Sequence, residues 1–314
     1  PVRQALGQHR ADRPHGRGQK CLPNDVSAWA LAHNVELRRS EKLSPEDTAW
    51  LAQKNPRLCL VMAYGHLLKN DLLAVPPLGF LNLHASLLPA YRGASPILGA
   101  VADGLNETGV SLMRIVPQMD AGDVCGVEKI KIETGYTVED LRPKLARACV
   151  PLLERMLPLV LAQKAVFTPQ DSSKVSYTRK ISKDDGLLDF NQPAELLARR
   201  VRALSPWPAC CVEVDGARVK IYEATAIMEA HKALPGTILH AGQCGLQVAT
   251  AQGILNLTQL QRPGGKRLCA ADFLNGFPIQ IGRILQSVPL CPLVSPTPFP
   301  RKKPTVSFDK TPMP

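Results

Sequence analysis

A chain of 314 residues with 45% hydrophobic and 21% charged content has the make-up of a soluble globular protein and is long enough for two domains. No apolar run approaches the roughly 18 to 20 residues of a membrane helix, and the nine cysteines show no CxxC spacing, so neither a membrane span nor a bound metal is expected. The net charge of +11 fits either a polyanionic partner or a solubilising surface.

In chain order, the first residues carry no apolar stretch of the kind that directs secretion. Arg3, Arg10, Arg13 and Arg17 faintly resemble a transit peptide, but the Pro and Gly among them would break the helix such a peptide needs. Asn24 is placed to cap a helix whose apolar stripe is Val26, Trp29, Ala30 and Leu31. The run Leu58 to Tyr64 is too continuously apolar to alternate and predicts a strand covered on both faces, ended by Gly65. Gly79 to Leu83 predicts a second strand, followed by a loop to Arg92 and a helix opening at Ser95-Pro96. Val110 to Val116 and Val124 to Ile132 predict further strands. Thr137-Val138-Glu139-Asp140 has the form of a capping box before a long helix towards Gln163, which Pro151 and Pro158 should bend or interrupt. Strands alternating with helices predict an α/β, Rossmann-like domain with a mostly parallel sheet.

Beyond Ser182 the pattern changes. A helix near Ala194 to Leu204 leads to Ser205-Pro206-Trp207-Pro208, and about five short alternating strands follow between Cys211 and Gln259. With a hairpin turn at Asp215-Gly216, they predict a small OB-like antiparallel β-barrel. The expected organisation is a catalytic domain over 1–182, a linker over 183–204, a C-terminal barrel over 205–288 and a disordered proline-rich tail over 289–314. The adjacent Cys210-Cys211 and the scattered remaining cysteines are expected as free thiols, as in the cytoplasm or an organelle matrix.

The chemistry concentrates in Leu81-Asn82-Leu83-His84-Ala85-Ser86-Leu87-Leu88-Pro89-Ala90-Tyr91-Arg92-Gly93 and in Gln118-Met119-Asp120-Ala121-Gly122-Asp123. Asn82 and His84 are two apart in a strand, so they share a face, at the strand end where α/β sheets bind ligands. A carboxylate at Asp120 would orient the imidazole while the Asn82 amide donates to an oxyanion. Each residue has an ordinary alternative, a structural histidine or a turn-forming Asn or Asp, and it is the combination that points to acyl transfer. With no serine elbow or catalytic cysteine in view, the nucleophile belongs to a substrate.

These two segments resemble the formyltransferase family that uses 10-formyltetrahydrofolate, and the chain from about Asp12 to Leu285 is similar to the branch acting on initiator methionyl-tRNA. The resemblance implies Asn82, His84 and Asp120 as the catalytic trio, Ser86, Leu87, Leu88 and Pro89 as part of the folate site, and transfer of a formyl group to the α-amine of methionine on its initiator tRNA. Acceptors of a second kind, a sugar nucleotide or a small amine, share the same trio. Asp12 to Lys20 is similar to the branch's basic tRNA loop, which implies Arg13, Arg17 and Lys20 as tRNA contacts, although a solvated basic loop would look the same. Ser205 to Pro208 and Gly253-Ile254-Leu255 resemble the branch's tRNA-binding barrel. Arg199, Arg200, Arg202, Arg218, Lys220, Lys266 and Arg267 supply charge around it, and Trp207 is read as a packing anchor rather than a stacking platform. The family's opening strand, Gly-Thr-Pro turn and helix find no match before Arg10, so a truncated domain is expected, reduced in the extreme to an inactive tRNA-binding remnant. The expected partners are the folate donor and initiator methionyl-tRNA, with no membrane, no metal and a monomeric chain.

Overall fold

The computed structural model describes residues 14–15, 20–21, 25–38, 40, 42–65 and 68–300, the side chains of the first four excepted. Asn24, the expected cap, lies outside them. The first described elements are the paired strands β1 (Pro14–His15) and β2 (Lys20–Cys21). Helix α1 (Asp25–Ala32) follows, burying Ser27 and Ala30 and leaving Val26, Trp29 and Leu31 exposed, so the expected apolar stripe is not its buried face.

Helix α2 (Pro45–Gln53) starts at a capping box in which the Asp47 carboxylate accepts from the Ser44 N–H at 2.9 Å, a device that stabilises a helix by about 1 kcal/mol. Strand β3 (Cys59–Val61), helix α3 (Asn70–Leu73) and strand β4 (Phe80–His84) come next. Leu51 of α2, Leu72 of α3 and Phe80 of β4 form one buried cluster. Strand β3 is shorter than expected and not covered on both faces, since Leu60 is 42% exposed. The chain continues through β5 (Arg92–Gly93), α4 (Pro96–Asp103), β6 (Glu107–Arg114) and β7 (Val124–Lys131).

The Rossmann-like sheet has the order β3-β4-β6-β7. Cys59 to Val61 pair in parallel with Phe80 to Asn82, whereas Leu81 to His84 pair antiparallel with Arg114 to Ser111. The sheet is therefore mixed rather than mostly parallel. Alternation of strands and helices does not reveal that β6, the strand after α4, runs opposite to β4.

Helix α5 (Val138–Leu161) opens on the expected capping box, with Thr137 Oγ1 donating to Asp140 Oδ2 at 2.6 Å and the Thr137 N–H at 2.8 Å. It runs uninterrupted through Pro151 and Pro158. Each proline removes one helical hydrogen bond; the stripe Leu141, Leu145, Ala148, Leu152, Met156 and Val160 buries enough apolar surface to outweigh those losses, at about 1.5 to 3 kcal/mol for each large side chain.

After β8 (Tyr177–Thr178), helix α6 (Ala194–Leu204) packs on an antiparallel sheet built from β9 (Cys210–Val214), β10 (Ala217–Ile227), β11 (Ile238–Gly242), β12 (Gly245–Ala249) and β13 (Ile254–Gln261) in the order β11-β12-β13-β10-β9. Short β14 (Leu268–Cys269) pairs with β13 and precedes α7 (Ala270–Gly276). The β9-β10 hairpin turns at Asp215 and Gly216, with φ of 51° and 71°, the conformation that favours Asp-Gly in such turns. Leu197, Val201 and Leu204 of α6, with Val219 and Ile221 of β10, are completely buried.

One expectation is corrected here. Residues 289–300 are structured: β15 (Val294–Ser295) pairs antiparallel with β8, Leu293 is buried, and Arg179 and Arg200 donate to the carbonyls of Pro292 and Cys291 at 3.0 and 3.3 Å. Proline-rich composition concealed this because the pairing is with a strand remote in sequence. The chain also forms two compact units, each drawn from three stretches of the sequence. One comprises Pro1–Ala85, Val110–Glu128 and Arg147–Gln170, the other Ser86–Gly109, Lys129–Ala146 and Asp171–Pro314. No described helix is long and apolar enough to cross a membrane.

Candidate active site

Strand β4 is the rigid part of the site. Hydrogen-bonded between β3 and β6, it sets Asn82 opposite Val61 and Met113, and His84 opposite Ser111. Leu81 and Leu83 bury one face, so Asn82 and His84 share the other. Asn82 is half-buried and His84 is only 6% exposed.

Asp120 comes from the loop between β6 and β7. Its Oδ1 lies 3.7 Å from His84 Nδ1, with the carboxylate side chain 18% exposed. That separation is long for a hydrogen bond but close for a charge interaction, and the carboxylate is placed to stabilise an imidazolium. The other ring nitrogen, Nε2, lies on the far side of the imidazole from Nδ1.

Three features hold the loop. Asp120 has φ of 51°, in the left-handed region that Asp and Asn tolerate better than most residues. At Gly122 a Cβ would collide with the Arg114 carbonyl oxygen, so only glycine lets the chain pass. The third is Gln170, whose Nε2 donates to the carbonyls of Asp120 and Gly122 at 2.8 and 2.7 Å. Sequence reasoning missed Gln170: a single glutamine carries no motif, and its partners are main-chain atoms 50 and 48 residues away.

The segment expected to bind folate is built differently. Ser86 is fully buried and spends its hydroxyl on the Ala90 carbonyl at 2.6 Å, closing the loop on itself, while Leu87, Leu88 and Pro89 are half-buried. The end of the loop is tied down by Tyr91 N–H to Ser176 Oγ at 2.9 Å, Arg92 N–H to the Ser176 carbonyl at 2.8 Å and Ser95 N–H to Thr178 Oγ1 at 3.1 Å. Tyr91 Oη donates to Asp103 at 2.9 Å, and burial pushes the Tyr91 hydroxyl and the Asp103 carboxyl both up from their usual ranges.

Of the expected tRNA contacts, Arg13 and Arg17 lie outside the described residues, as does the side chain of Lys20. Around the antiparallel sheet, Arg200 is buried rather than available, donating to the Asp185 carbonyl at 2.9 Å. Arg267 lies over the Tyr222 ring at 4.3 Å. Trp207 is 58% exposed, which corrects its reading as a packing anchor.

Residues 5–157 match the Formyl transferase family and residues 180–278 match its "Formyl transferase, C-terminal domain". The chain belongs to the formyl transferase family and is a formyltransferase, an enzyme that moves a one-carbon group. Among its relatives is the methionyl-tRNA formyltransferase of Xanthomonas oryzae pv. oryzae (strain PXO99A), 42% identical over 266 residues that cover 84% of this chain and 87% of that one. The methionyl-tRNA formyltransferase of Methylococcus capsulatus (strain ATCC 33009 / NCIMB 11132 / Bath) is 39% identical over 265 residues, 84% of this chain and 86% of that one. Solved structures share the fold at lower identity. HypX from Aquifex aeolicus in complex with tetrahydrofolic acid is 18% identical, with a TM-score of 0.56 over 82% of this chain and 47% of that chain. WlaRD, a sugar 3N-formyl transferase, is 15% identical, with a TM-score of 0.56 over 81% of this chain and 86% of that chain.

Proposed function

We propose that this enzyme transfers a formyl group from 10-formyltetrahydrofolate to the α-amine of methionine esterified to initiator tRNA. The observation that carries the chemistry is the His84–Asp120 pair at 3.7 Å beside Asn82 on one face of β4. The acceptor rests on relatives: those 39 to 42% identical are methionyl-tRNA formyltransferases, whereas the sugar enzyme is 15% identical.

In this reading the amine attacks the formyl carbon and a tetrahedral oxyanion forms. The Asn82 amide donates a hydrogen bond to that oxygen, an interaction stronger in the transition state than in the ground state. His84 Nε2 takes the proton lost by the amine and returns it to the folate nitrogen as the carbon–nitrogen bond of the donor breaks, so the imidazole ends as it began. Asp120 stabilises the imidazolium between these steps. The half-buried Leu87 and Leu88 offer apolar contact to a flat heteroaromatic ring, with Ser86 shaping their loop from within and Pro89 continuing it. Arg13, Arg17 and Lys20 are assigned to tRNA phosphates. The enzyme is read as a cytoplasmic monomer, with Cys210 and Cys211 buried as thiols as a reducing compartment allows.

Formylation with radiolabelled folate donor and charged initiator tRNA tests this directly. Labelled formyl-methionyl-tRNA is expected. Absence of that product, or equal transfer to a deoxythymidine-diphosphate amino sugar, would overturn the assignment.

A further inference from the structure

The loop Ile115 to Asp123 lies between β6 and β7 and belongs to neither, so the sheet that fixes His84 does not fix Asp120. Its neck is closed by the Arg114 N–H donating to the Asp123 carbonyl at 2.9 Å. Within it, the Ala121 N–H reaches the Gln118 carbonyl only at 3.4 Å, a weak turn. The two carbonyls that bracket Ala121, those of Asp120 and Gly122, both accept from Gln170 Nε2. An amide nitrogen carries two hydrogens, one for each. Gln170 is itself anchored two residues earlier, where Thr168 and Val124 exchange N–H to carbonyl bonds at 2.9 and 3.0 Å.

We propose that Gln170 is a positioning residue for catalysis: by holding the Asp120 and Gly122 carbonyls it fixes the main-chain torsion from which the Asp120 carboxylate is aimed at His84. Fixing both carbonyls sets the peptide planes that follow Asp120, and with them the direction of its Cα–Cβ bond. Without the clamp the carboxylate moves relative to an imidazole the sheet keeps still, and a misplacement of about 1 Å in a catalytic constellation costs on the order of 100-fold. Gln170 acts through Asp120 and not on substrate, so its loss should fall on kcat and leave KM alone. This rests on the formyl-transfer reading above.

The test uses Gln170→Met, which keeps the side chain's volume without its donors, and Gln170→Lys, which keeps a donor. Hydrogen exchange across residues 115–123, measured without substrate, should rise about tenfold or more in Gln170→Met and less in Gln170→Lys; unchanged exchange would show that no clamp exists, whatever the enzyme's acceptor. In formylation assays Gln170→Met should lose roughly 10- to 100-fold in kcat, with KM for donor and tRNA within about twofold of wild type, and Gln170→Lys should recover part of the loss. In an Asp120→Asn background the Met substitution should cost less than about twofold, because the charge it aims is already gone. An equal loss in both backgrounds, or an effect confined to KM, would assign Gln170 a merely structural role. A wild-type chain without formyl transfer would count against the function and leave the exchange result to decide the clamp.

Discussion

Replacing Asp120 by Asn keeps the shape of the side chain and removes its charge, and the structure sets the size of the effect. At 3.7 Å from His84 Nδ1, a unit charge interacts with an imidazolium by about 1 kcal/mol in bulk water and about 4 kcal/mol at an effective dielectric of about 20. With His84 buried and Asp120 largely shielded, the value belongs nearer the upper figure. Each 1.36 kcal/mol on a barrier is about tenfold in rate, so Asp120→Asn should lower kcat by roughly 100- to 1000-fold. Asp120 is assigned no substrate contact, so KM for the folate donor and for tRNA should stay within about twofold. Single-turnover formylation at saturating donor, followed by acid-precipitable label on tRNA, isolates the step. A loss below about threefold, or one recovered by raising donor or tRNA concentration, would show that the carboxylate does not stabilise charge on His84.

Four other outcomes are expected. Asn82→Ala removes the amide assigned to the oxyanion and should cost about 100-fold or more in kcat, read by the same assay, while tRNA affinity from filter binding is unchanged. Gly122→Ala forces a Cβ onto the Arg114 carbonyl and should displace the Asp120 loop; formylation should fall by more than tenfold, whereas Gly276→Ala, with open space around its Cβ position and no left-handed φ, should leave turnover near wild type. Burial pushes the Asp47 carboxyl up, but hydrogen bonds from Arg38, Ser40 and Ser44 outweigh it and hold the pKa at about 2. A depressed carboxyl stabilises the fold above its unfolded value near 3.8 and loses that contribution as pH falls towards 2. The Tm should therefore drop across that window in wild type and less steeply in Asp47→Asn. Deleting residues 289–314 removes β15 and the buried Leu293, and thermal melts should register a loss of about 2 kcal/mol or more.

Much of the fold is legible because its signals are local. Asp-Gly at 215 and 216 dictates its turn, Thr137 with Asp140 dictates a helix start, and Asn82 with His84 declares a shared strand face. What escaped was set by partners remote in sequence. No local pattern distinguishes β4 antiparallel to β6 from a parallel crossover. Arg200 reads as a surface charge until the Asp185 and Cys291 carbonyls, 15 and 91 residues away, are brought to it. The tail reads as disordered because two-residue β15 is invisible without β8 beside it.

The proposed trio is secured by two different means, and this decides where the enzyme is vulnerable. Asn82 is fixed by ladders on both sides of β4 and His84 by the ladder to β6, so changes in neighbouring side chains have little purchase on their direction. Asp120 depends on an unusual φ, a glycine that must lack a Cβ, and two hydrogen bonds from one amide. Substitutions that impair catalysis without unfolding the protein should therefore cluster on Gly122 and Gln170 as much as on the charged residue itself. A carboxylate on a loop can also be displaced and restored, which a carboxylate on a central strand cannot. The 3.7 Å separation from His84 is therefore the distance in the trio most exposed to such substitutions.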